Sequence, residues 1–227
     1  MASRSIPVSY THLWSSGKDP VALSYIYGFL CHYALDRLAH PFVEYGAARL
    51  LELHPDQTGE VFHNQIESAL DVIILRYERG ELPTDFNLKR TLPKNLPVQQ
   101  KIAALYSDIL ERLYGKKIPQ SLVLQATKDG RQIFGLLNDR TSLKKNLVEK
   151  FEKVRKISCH IRPMSEGDED YANLLHSEWH WPMDSKEIHD ESFFDLFEAA
   201  VPQAVHLILN YLDSENLREL TQDIPFC

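Results

Sequence analysis

Cysteine is scarce in this chain. The three residues, Cys31, Cys159 and Cys227, stand far apart with no Cys-x-x-Cys pair. That excludes a thiolate zinc site and argues against a disulfide framework. It fits a reducing compartment, and a cytoplasmic location is expected. No apolar run approaches the roughly 18 residues of a membrane-spanning helix, and no signal-peptide pattern is visible. No segment alternates apolar and polar residues for long, so no strand or hairpin is expected. Internal repeats and low-complexity tracts are also missing. Positive charge is in deficit, with 25 Lys and Arg against 32 Asp and Glu, a net charge of −7. Stable binding to nucleic acid is therefore not expected.

What is present points to helices. The 227 residues are 44% apolar and 25% charged, ordinary for a globular domain. Apolar residues recur at helical spacing, which predicts an all-α fold, a single domain of about six or seven helices. Residues 20–40 read as a helix that Pro41 ends, with a short separate helix over 42–53. Residues 60–79 form a second strong helix, closed by Gly80. The Pro-rich stretch 82–97 reads as irregular. Further helices open at Pro97 and Pro119, and a longer basic one is expected over 142–158, capped by Asp139 or Thr141. Asp190 caps the last major helix, which Pro202 kinks or bounds. At the N-terminus, residues 8–13 read VSYTHL and resemble a sequencing-adapter frame. Residues 1–19 are accordingly read as a disordered or artefactual lead, and 20–227 as the helical domain.

The histidines carry the chemistry. His32, Asp36 and His40 follow one another at four-residue steps in HYALDRLAH, and His63 and Glu67 repeat the step in HNQIE, with Asp71 one step on. Four residues are one helical turn, so each set lies on one helix face. Imidazole and carboxylate at that spacing can converge on a metal ion, and zinc takes both where thiolate is missing. Ligating histidines need an outer partner to fix the tautomer. Asp71 and Tyr33 are the candidates for that role.

HYALD-x3-HP followed by H-x3-E resembles the zinc-dependent phospholipase C family of bacteria. That family includes phosphatidylcholine-cleaving phospholipases and is related to fungal single-strand nucleases. DYANLLHSEWHWP and ESFFDLFEAAV resemble its uncharacterised bacterial branch. The likeness runs from about Pro20 onward. It implies an all-α core, two or three zinc ions in a complete protein, and a phospholipid or other phosphodiester as substrate. His32 and Asp36 match the His-x3-Asp pair, His40 the His that follows, and His63 and Glu67 the His-x3-Glu pair. His40, His63 and Glu67 then form one full zinc site, and His32 with Asp36 half of another. Two departures stand out. The secreted members leave a longer gap between the Asp and the next His. An upstream portion with further His and Asp ligands, including the general-base Asp, has no counterpart before Pro20, so no catalytic base is assigned and the chain reads as truncated.

Other readings remain open. The chain could be a related phosphodiesterase or nuclease, or a non-enzymatic metal-binding helical protein. Glu60-x2-His63 has the Glu-x-x-His form of di-metal bundles, but only one such motif is present where two are needed. His176 is a candidate for a substrate-side or outer-partner role. His180 reads as part of a loop that packs Trp179 and Trp181 on the core. The basic stretch 144–156 reads as one solvated face.

Overall fold

The computed structural model describes residues 19–154, 156–161, 167–182, 184–213, 217–222 and 224. The chain is mostly all-α, as the apolar periodicity predicts. The described helices are α1 (Pro20–Leu53), α2 (Gly59–Arg79), α3 (Leu96–Tyr114), α4 (Gln120–Leu137), α5 (Leu143–Glu149), α6 (Phe193–Asn210) and α7 (Leu217–Leu220). The expected lead lies outside the described residues except for Asp19. Its carboxylate accepts from the backbone N–H of Val21 at 2.8 Å and of Ala22 at 3.3 Å, which caps α1.

The chain divides into two compact units. The first comprises Met1–Leu38, Leu92–Arg131 and Phe197–Cys227, the second Ala39–Thr91 and Gln132–Leu196. In the first unit Ile26, Leu30, Tyr33 and Ala34 of α1 pack with Leu105 of α3 and Ala204, Leu207 and Tyr211. The Tyr33 hydroxyl donates to the Ile224 carbonyl at 2.7 Å, which satisfies a polar tip inside that core. Tyr33 is thus held on both its ring and its hydroxyl within this unit.

In the second unit α2 buries Val61, Phe62, Ile66, Ala69, Leu70, Val72 and Leu75 on one stripe. Thr58 caps its start by accepting from Val61 N–H, and Gly80 ends it at φ 60°, a left-handed conformation that suits glycine. The C-terminal part of α1 buries Phe42, Val43 and Ala47 in the same unit. A Cβ on Gly46 would meet Ile66 Cδ1 at 3.0 Å, so this glycine permits α1 and α2 to approach closely.

Four local expectations are corrected. First, Pro41 does not end a helix; α1 runs unbroken from Pro20 to Leu53 with Pro41 inside. An interior proline costs about 3 kcal/mol, but each large apolar side chain buried returns about 1.5–3 kcal/mol. Buried residues lie on both sides of Pro41, so packing outweighs the lost hydrogen bond. Second, the basic helix is short. Ser142 sits at φ 57° and α5 stops at Glu149. Glu152 instead closes a turn, accepting from Ile157 and Ser158 N–H at 2.9 and 3.2 Å. Asp139 does cap α5, from three residues before Ser142, by accepting from Lys145 N–H at 3.0 Å.

Third, α6 is capped by Ser192 rather than Asp190. Ser192 Oγ accepts from Asp195 N–H at 3.2 Å while the Asp195 carboxylate accepts from Ser192 N–H at 2.8 Å, a reciprocal capping box. Fourth, a hairpin exists. Strand β1 (Trp179–Trp181) pairs antiparallel with β2 (Asp184–His189), with a register irregularity at His180/Trp181. Trp179 anchors it: the ring stacks on His189 at 4.4 Å and meets Phe42 edge-on at 5.6 Å, and its N–H donates to the Glu191 carbonyl.

Candidate metal centre

Three of the five expected ligands come together. His40 on α1 and His63 and Glu67 on α2 each offer a donor atom, and these atoms lie within 4.8 Å of one another. This is the one such group among the described residues. Position follows from sequence. His63 and Glu67 are one turn apart on α2, each next to a buried residue of its stripe, Phe62 and Ile66. The Gly46–Ile66 approach draws α1 in beside them.

Glu67 Oε1 sits 3.1 Å from His63 Nε2 and 3.7 Å from His40 Nε2. Donors bound to one tetrahedral zinc at about 2.0–2.2 Å lie roughly 3.3–3.5 Å apart. The two spacings bracket that value, so small side-chain adjustments would seat an ion. The His40 and His63 rings meet edge to face, with centroids 5.2 Å apart. The nearby His40 imidazole is the largest cause holding the Glu67 carboxyl below its ordinary pKa; burial opposes it and the charge of His63 adds to it. Glu67 is therefore ionised at neutral pH, as a metal ligand must be.

The outer partner of His63 is one that sequence reasoning missed. Glu44 Oε1 lies 2.9 Å from His63 Nδ1. With Nδ1–H donated to Glu44, a neutral His63 would offer Nε2 to a metal ion beside Glu67, the arrangement that ligating histidines use. The signal was present, since Glu44 stands one further four-residue step beyond His40.

The other predicted residues lie elsewhere. His32 Nδ1 is 3.9 Å from Asp36 Oδ1 in the first unit. The pair is intact, and among the described residues it is not joined by a third donor into a metal-binding group. Asp71 is exposed and outside the ligand group. His176 sits at φ 50° with Nδ1 donating to the Asp190 carbonyl at 2.9 Å. Beside it the buried Asn173, at φ 54°, donates to the carbonyls of Ser177, Asp190 and Glu191. His176 and Asn173 thus clip the loop before β1 to the start of α6. Glu60, of the Glu-x-x-His motif, is exposed and not in the ligand group.

No family model, curated protein or solved structure matches the chain.

Proposed function

We propose that this protein is a metal-dependent hydrolase that holds zinc on His40, His63 and Glu67 and cleaves phosphodiesters, phospholipids among them. The observation that carries the reading is the convergence of these three donors, with Glu44 behind His63. Two imidazoles and one carboxylate are a donor set that zinc favours, and three ligands leave a position open for water. Bound there, zinc would lower the pKa of that water and polarise a phosphoryl oxygen. The chain's own residues set the site up. Glu44 fixes the His63 tautomer, and Glu67 stays ionised under the influence of its two histidines. The substrate class rests on the resemblance to zinc-dependent phospholipases C.

The test is metal content followed by turnover. Purified chain should carry zinc, and His40→Ala, His63→Ala and Glu67→Ala should each lose it while remaining helical. Release from a chromogenic phosphocholine ester is then measured, on this chain and on one extended upstream with a His- and Asp-bearing segment. Unchanged zinc in His63→Ala would sink the metal reading. Zinc binding without cleavage by either chain would favour a non-enzymatic metal-binding protein instead.

A further inference from the structure

The second candidate surface lies on α5 and the turn after it. No residue of α5 is buried. Leu143 and Leu147, one helical turn apart, are 70% and 59% exposed. Phe151 follows another four residues on, its N–H bonded to the Val148 carbonyl, and is 83% exposed. Ile157 adds a fourth large apolar side chain at 59%. Leu143 and Leu147 share one face of α5, and four large exposed apolar side chains within fifteen residues are a denser group than the scattered single exposures ordinary on a surface.

Its charge is opposite to that of the molecule. Residues 139–157 contain seven basic and three acidic residues in a chain of net charge −7. Two of the three acids are engaged by backbone N–H groups. Asp139 is buried and accepts from Thr141 and Lys145 N–H, and Glu152 accepts from Ile157 and Ser158 N–H. Arg140, Lys150, Lys153 and Lys156 are exposed around the apolar side chains, and among the described residues no ion pair is found for the three lysines.

We infer that this face docks on an anionic lipid surface, with Leu143, Leu147 and Phe151 entering the interface and the lysines meeting acidic headgroups. Exposed Leu and Phe flanked by Lys are the composition of interfacial helices. Each lysine near an anionic leaflet strengthens binding roughly fivefold. A second copy of the chain is the poorer occupant, because a two-fold contact would set one basic face against another. The inference stands apart from the metal reading and draws on none of its residues.

The 227-residue chain is mixed with vesicles of phosphatidylcholine alone and of phosphatidylcholine with phosphatidylserine, and bound protein is recovered by flotation. Binding should require phosphatidylserine and weaken as salt is raised. Lys150→Glu/Lys153→Glu/Lys156→Glu should lower it by roughly a hundredfold or more. Leu147→Ser/Phe151→Ser should lower it at least roughly tenfold with the melting temperature unchanged, since both side chains are exposed. His63→Ala should bind vesicles as wild type does, which separates this outcome from failure of the metal site. Equal recovery with both vesicle types, or wild-type binding by the triple variant, overturns the inference. So does the absence of vesicle binding together with a dimer that Leu147→Ser/Phe151→Ser converts to monomer.

Discussion

Glu44 stands outside the candidate ligand set and touches it through His63. Its carboxylate is 56% exposed and does little for packing, yet it holds Nδ1 of His63. Glu44→Gln should leave the fold intact and weaken zinc binding about 10–100-fold, read by competition against a chromogenic chelator; an unchanged affinity would remove Glu44 from the site. Asp139 is a second residue whose contribution is specific. Burial pushes its carboxyl up, but the N–H groups of Lys145 and Thr141, the Thr141 hydroxyl and the Lys144 charge outweigh this and hold it low. A depressed carboxylate stabilises the fold above the unfolded value near 3.9, and that stabilisation is lost as pH falls through the lower folded value. Asp139→Asn should cost about 1–3 kcal/mol at neutral pH. The difference from wild type should shrink below about pH 4, as measured by urea unfolding across pH.

At the scale of elements, capping and close approach decide what forms. Thr58→Ala should cost about 1 kcal/mol through loss of the bond to Val61 N–H. Gly46→Val should cost about 1–3 kcal/mol by overpacking against Ile66, and it should lower zinc content as α1 and α2 are forced apart. Thermal melts and metal analysis of one preparation check both. Helices α2 and α3 were legible because their apolar spacing, Gly80 and Pro97 all agree. The hairpin was not, because a three-residue strand such as WHW is too short to display a period of two. Asp190 was taken for a cap because it precedes an apolar run, but the reciprocal pairing of Ser192 with Asp195 sits closer to α6. The ligand spacing on α2 was fully readable. The grouping of His40 with it came only from the family resemblance, and the geometry that achieves it, with Gly46 against Ile66 and α1 continuous through Pro41, was not readable.

For the molecule as a whole, the two compact units carry distinct burdens. The first holds an apolar cluster in which Ile26 and Leu30 have at most 1% exposure. Leu30→Ala should cost about 2–5 kcal/mol in calorimetry or urea unfolding and leave zinc stoichiometry at the melting-free temperature unchanged. The second holds His40, His63, Glu67 and Glu44. Among the described residues no helix is long and apolar enough to cross a membrane.

The continuity of α1 through Pro41 has a consequence for amide exchange. Proline has no N–H, so the Arg37 carbonyl lacks its usual partner four residues on. One rung of the ladder is missing near Leu38/Ala39, where the division between the two units falls. Deuterium uptake should therefore show residues 20–38 and 42–53 exchanging with different protection, as two cooperative segments within one geometrically continuous helix. Zinc should slow uptake in the second segment, which carries Glu44 and follows His40, more than in the first.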